Sequence, residues 1–110
     1  MLIKTIDNPK VSKITQQTNT VDVPPLCPKT LNPITGSTLT IMYVPKDKLL
    51  EFYSLNEYVA SFIGSDKIRD LELLTQRVAR DCHEALGVKV FVIGKYVLNI
   101  AQTVVCECED

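Results

Sequence analysis

Residues 24–33 read PPLCPKTLNP, four prolines in ten residues around a single cysteine. Proline has no amide hydrogen to give to a sheet ladder, and its ring clashes with the helical turn before it. Neither a helix nor a paired strand can run through this stretch. It must be a stiff, irregular loop that divides the chain into two flanks. Loops held by regular elements on both sides are where proteins place reactive side chains. Cys27, held between Pro25 and Pro28, is therefore the first candidate for chemistry. The competing reading is a small buried apolar residue, a common role of free cysteine.

The flanks are regular. Residues 10–23, KVSKITQQTNTVDV, are polar and rich in β-branched residues, the composition of a half-exposed strand. After Gly36, Leu39, Ile41 and Tyr43 alternate with Thr38, Thr40 and Met42, which predicts a second strand ended by Pro45. The spacing of Leu49, Phe52, Leu55, Val59 and Phe62 predicts a helix capped by Asp47 and stopped by Gly64. A second helix, capped by Ser65 or Asp66, carries Ile68, Leu71, Leu74 or Thr75, Val78, Cys82 and Leu86 on one stripe and ends at Gly87. VKVFVIG and YVLNIAQTVVCEC then read as two strands joined by a two-residue turn at Gly94-Lys95. The order is ββααββ. It implies an α+β domain with an antiparallel four-stranded sheet and two helices on one face. An open four-stranded sheet has two free edges, which invite pairing with another copy.

A chain of 110 residues makes one domain, here residues 1–110. Twelve basic residues face thirteen acidic ones. Three of the acids sit in the tail Glu107-Cys108-Glu109-Asp110, so the body is slightly basic, well short of a nucleic-acid footprint. No apolar run approaches the roughly 20 residues of a membrane span, and the first residues lack the apolar core of a signal peptide. The four cysteines, Cys27, Cys82, Cys106 and Cys108, are read as reduced thiols of a cytoplasmic protein. Cys106 and Cys108 share one strand face, the only histidine lies elsewhere, and no metal site is expected.

Two further residues merit weighing. Glu72 lies in LELL, an apolar setting for a carboxylate. It is either a core-edge residue facing solvent or a buried acceptor that needs donors. A guanine-type base offers a ring N–H and an exocyclic amine side by side, matched to two carboxylate oxygens. His83, at the end of the second helix, is read as a solvated residue favoured by the negative helix terminus.

LCPKTLNP resembles the nucleophile segment C-P-x-T-G-x-P-D of the QueF nitrile reductases of queuosine biosynthesis. LELLTQRVA resembles the second-helix motif that QueF shares with GTP cyclohydrolase I. Both families have the tunnel fold, with the same element order, assembled into rings. The resemblance covers residues 22–100. It implies that Cys27 attacks the nitrile of 7-cyano-7-deazaguanine to form a thioimide, and that Glu72 clamps the base. Ser54, Leu55 and Thr30 would complete the substrate site.

The departures sharpen this reading. Where the reductases have E-S-K-S-L-K for nicotinamide binding, this chain has Glu51-Phe52-Tyr53-Ser54-Leu55-Asn56, without either lysine. The zinc-binding histidines of GTP cyclohydrolase I are replaced after Cys27 by Pro28 and Lys29. What remains resembles the short QueF-like archaeosine synthases, amidinotransferases that replace hydride with ammonia and use no cofactor. The implied partners are 7-cyano-7-deazaguanine carried in tRNA or in modified DNA, ammonia, and further copies of the chain in a pentamer or decamer. The family's acid seven positions after the cysteine aligns with Ile34, leaving Thr30, Thr35 or a water to move the proton. Two other classes stay open: an NADPH-dependent nitrile reductase with an altered cofactor site, and a non-catalytic tunnel-fold module binding a deazaguanine or pterin.

Overall fold

A computed structural model describes residues 3–9 and 13–110. It contains six strands and two helices: β1 (Thr5–Asp7), β2 (Gln17–Asp22), β3 (Thr38–Tyr43), β4 (Lys48–Leu50), α1 (Phe52–Ala60), α2 (Leu71–Leu86), β5 (Val90–Leu98) and β6 (Gln102–Glu109). The class is α+β. The main sheet is antiparallel throughout, in the order β2-β3-β5-β6, and β1 and β4 form a separate two-stranded ribbon. The first predicted strand begins only at Gln17, and residues 10–12 of that prediction lie outside the described residues.

The alternation in β3 works as its sequence implies: Leu39, Ile41 and Tyr43 are buried, while Thr38, Thr40 and Met42 are partly exposed. Val90, Val92 and Tyr96 of β5 point to the same side. They meet Leu55, Tyr58 and Val59 of α1 and Leu74, Val78, Ala79, Cys82 and Leu86 of α2 in one apolar core. Cys82 thus falls on the predicted stripe. Each fully buried aliphatic side chain contributes about 1.5–3 kcal/mol over its exposed state.

Four local expectations are corrected. The segment opening at Asp47 is not helical: Lys48–Leu50 pairs with Asp7–Thr5 instead. Leu50 is fully buried and its N–H donates to Tyr43 Oη at 2.9 Å, a contact that a helix through this point would break. The α1 cap is therefore Glu51, whose carboxylate accepts the Ser54 N–H at 2.9 Å. Likewise α2 is capped by Asp70, with Leu73 N–H donating at 2.7 Å, rather than by Ser65 or Asp66. Ile68 lies ahead of this helix. Gly87 ends it as predicted, in the left-handed region at φ 70°.

The fourth correction concerns Gly94-Lys95, which is no turn. Both residues sit inside β5, paired with Cys106 and Val105 of β6. The chain reverses between Leu98 and Gln102, where Ala101 takes a positive φ of 59°. Gly94 has a different purpose. A Cβ there would lie 2.6 Å from Cε2 of Tyr96, whose ring covers the glycine. Glycine in a strand commonly marks such a close approach.

Candidate active site

The proline-rich segment leaves β2 after Asp22 and returns to β3 at Thr38. Its first bonds are sheet-like, with Val23 N–H donating to the Ser37 carbonyl at 2.9 Å. Leu26 is buried and anchors the loop in the core, and Pro33 is buried as well. Between them the chain folds back on itself. Leu26 N–H and Cys27 N–H both donate to the Asn32 carbonyl, at 2.9 and 3.1 Å, and Leu31 N–H donates to the Cys27 carbonyl at 2.8 Å. Leu31 closes this turn with a φ of 61°. A branched side chain there is strained, and such strain persists only where the surroundings over-determine it.

The turn is tied to the body at two places. Gly64 N–H donates to the Leu26 carbonyl at 2.8 Å, which docks the α1–α2 connection on the loop. Gly64 needs its left-handed φ of 67° to make that approach, and Pro28 Cγ lies close beside it. Asn99, at the β5–β6 turn, holds the other side. Its Nδ2 donates to the Thr30 carbonyl at 2.7 Å, its backbone N–H donates to Asn32 Oδ1 at 2.9 Å, and its Oδ1 accepts from Asn32 Nδ2 at 3.1 Å.

Cys27 is only partly exposed, and its sulfur faces Thr30. The Thr30 N–H points at Cys27 Sγ over 3.5 Å, within reach for a sulfur acceptor. The Thr30 hydroxyl accepts from Asn32 N–H at 3.3 Å, which leaves its own proton for the sulfur. The Thr30 hydroxyl, the Thr30 and Lys29 backbone N–H groups and the Lys29 charge together hold the Cys27 thiol below its ordinary pKa of 9.0. Donors aimed at a sulfur favour its thiolate form, the nucleophilic one. The other three cysteines go the opposite way. Burial pushes Cys82 up to about 12, and it also raises Cys106 and Cys108. Of the four cysteines, Cys27 is the one whose surroundings favour the thiolate.

None of the remaining predicted residues bonds to Cys27. Glu72 is exposed, in the first turn of α2. It lines a groove of about 720 Å³ between α2 and β6, together with Thr75, Gln76, Cys106 and Cys108, and Cys27 is not among the lining residues. Ser54 and Leu55 are both buried in α1. The Ser54 hydroxyl donates to the Glu51 carbonyl at 3.1 Å and accepts from Lys4 N–H at 3.3 Å. Thr30 alone stands beside Cys27. His83 is occupied locally, its Nδ1 donating to the Val88 carbonyl at 2.8 Å. Ile34 is half-buried, with its N–H on the Val97 carbonyl at 2.8 Å, and Thr35 is exposed. Among the described residues no cluster of three or more histidine, cysteine or acidic side chains could hold a metal ion.

Sequence reasoning passed over Asn32 and Asn99. Asn32 sat inside the quoted motif, but its partner is 67 residues away. No local spacing announces such a pair. No protein-family model matches this sequence, and no curated protein does.

Proposed function

We propose that this protein is an amidinotransferase of the QueF-like type, acting through Cys27 on the nitrile of 7-cyano-7-deazaguanine carried in tRNA. The observation that carries the reading is the Cys27 sulfur, held on a doubly tied loop with Thr30 donors aimed at it. A nitrile carbon is a small, linear electrophile that a thiolate can reach without displacing a leaving group. The Cys27 Sγ–carbon bond forms as the nitrile nitrogen takes a proton, giving a thioimide. Ammonia then adds to the same carbon, the carbon–sulfur bond breaks, and the thiolate leaves. Nitrile plus ammonia gives formamidine, as in archaeosine, with no oxidant, reductant or cofactor consumed. In this reading Thr30 takes the orienting role, and its hydroxyl stands where a proton is handed over.

Glu72 would hold the base by accepting its ring N–H and exocyclic amine. Within one chain Glu72 lines the α2–β6 groove, whose lining does not include the Cys27 loop. The reading therefore includes a tunnel-fold ring, a pentamer or a stacked decamer, in which one copy's loop approaches the groove of the next. The free sheet edges β2 and β6 supply the means. Ser54 and Leu55 would support this site from inside α1. Ile34, in place of the family's acid, favours a second reading, a module that binds the base without turning it over.

Intact mass after incubation with 7-cyano-7-deazaguanine tests the proposal. Wild type should gain the mass of the base and Cys27→Ala should gain nothing. Addition of ammonium should then release an amidine with NADPH absorbance flat. Equal adducts on both proteins would move the nucleophile elsewhere. Binding without an adduct would leave the non-catalytic module, and steady NADPH oxidation would favour the reductase.

A further inference from the structure

We propose that Asn99 is a positioning residue of the Cys27 site: through its bonds to Thr30 and Asn32 it fixes the turn so that the Thr30 donors stay aimed at the sulfur. The inference rests on Cys27 being the attacking group, whatever the electrophile.

Three observations converge on Asn99. It uses both ends of its amide and its own backbone N–H on the loop: Nδ2 on the Thr30 carbonyl, Oδ1 on Asn32 Nδ2, and N–H on Asn32 Oδ1. A reciprocal pair of this kind fixes the position and the orientation of Asn32 together. Asn32 in turn is the centre of the Cys27 turn. Its carbonyl accepts from Leu26 and Cys27, and its N–H donates to the Thr30 hydroxyl. The bonds to Thr30 then work from both sides, Asn99 on its carbonyl and Asn32 on its hydroxyl oxygen. Together they leave the Thr30 N–H and O–H for the thiol.

The mechanical need is also visible. Leu31 holds a left-handed φ of 61° next to Thr30, a conformation a free loop would abandon. Four residues of irregular chain between Cys27 and Asn32 would otherwise sample many turns, and the sulfur would lose its donors in most of them. Asn99 directly follows Leu98, the last residue of β5, so the clamp is referenced to the end of a main-sheet strand. The exposed position of Asn99 shows that the amide is not there to fill core volume.

The test reads the Cys27 sulfur directly and needs no nitrile. Alkylation by iodoacetamide is followed against pH, with Cys27 resolved from the other cysteines by peptide mass. Lys29, the charged group bearing on Cys27, is retained throughout. In wild type the rate should inflect below the ordinary thiol value. Asn99→Ala should move that inflection up by about half a pH unit or more, a roughly threefold loss of thiolate near neutral pH. Asn99→Ser, whose side chain is too short to reach the Thr30 carbonyl, should do the same if the alanine variant folds poorly. Thr30→Val should produce a similar shift, and the pair Asn99→Ala with Thr30→Val should add little to either. An unchanged Cys27 profile in a folded Asn99 variant, or full additivity with Thr30→Val, would overturn the proposal. If the profiles shift as stated while 7-cyano-7-deazaguanine forms no adduct, the clamp stands and the nitrile reading falls.

Discussion

Gly94 sits under the ring of Tyr96, and Tyr96 cannot move aside. It is fully buried and its Oη pairs with Thr75 Oγ1 at 2.7 Å. Thr75 donates its own proton to the Leu71 carbonyl at 2.8 Å, so Tyr96 is the donor of the pair. A methyl group at residue 94 must displace this ring or bend β5. We expect Gly94→Ala to lose about 1–3 kcal/mol, the usual range for overpacking a filled core. Urea unfolding measures this, and Gly94→Ala with Tyr96→Leu should lose less than the two changes summed. An alanine variant as stable as wild type would mean that the ring does not cover the glycine. The same scale governs Cys27. Its value is lowered chiefly by the Thr30 hydroxyl, so the thiolate fraction grows from a lower pH than for a free thiol. On the amidinotransferase reading proposed above, amidine formation should rise with pH from neutral, where ammonium also begins to yield free ammonia.

Helix α2 is the element on which the core is built, and its start depends on one carboxylate. Asp70 accepts the Leu73 N–H at 2.7 Å, and Arg69 Nε lies 2.6 Å from the other oxygen. The Leu73 N–H, followed by Arg69, holds the Asp70 carboxyl below its ordinary value of 3.8. A lowered folded value means stabilisation that is present above the unfolded pKa and lost as pH falls through the folded one. Asp70→Ala should lower the melting temperature by a few degrees at pH 7. The difference from wild type should shrink below about pH 4. A constant difference across that range would show that the cap contributes nothing through its charge. Farther along, Tyr58 of α1 donates to Asp81 of α2 at 2.6 Å, and Arg77 reaches the same oxygen at 2.9 Å. The two helices are thus joined by a polar bridge at the edge of their apolar contact.

For the whole molecule the buried acids set an alkaline limit. Burial raises Cys82 to about 12 from 9.0, and it raises Tyr58 and Tyr96 further still. The folded state keeps these protons after an unfolded chain would release them. The stability these three groups contribute is therefore whole below pH 9 and falls between pH 9 and 12, by at most about 1.4 kcal/mol per pH unit for each group. Thermal melts from pH 7.5 to 10.5 should run flat and then decline, and Cys82→Ala should flatten part of that decline. Assembly belongs to this scale as well. β6 offers eight residues along an open edge and β2 six along the other. The ring reading expects a closed oligomer by sedimentation at micromolar concentration. A stable monomer there would remove the ring and the shared site with it.

The class, the four strands of the main sheet and the buried faces of β3 and α2 were legible in the sequence alone. Alternation at Leu39, Ile41 and Tyr43 and the α2 stripe through Cys82 are periodic signals, set by the chain's own geometry over a few residues. The sequence also singled out Cys27, because proline spacing is a local property. The rest came from contacts between segments distant along the chain. The stretch 48–50 became a strand because residues 5–7 lie beside it, and Gly94 proved to be a seat for Tyr96 because a buried ring needed the space. The partners of Cys27 were divided in the same way. Thr30, three residues on, was visible as part of its motif, while Asn99 enters from a distant hairpin that packs against the loop. Bonds that close over 67 residues leave no periodicity in the chain, since either end can be satisfied by any suitably placed polar group.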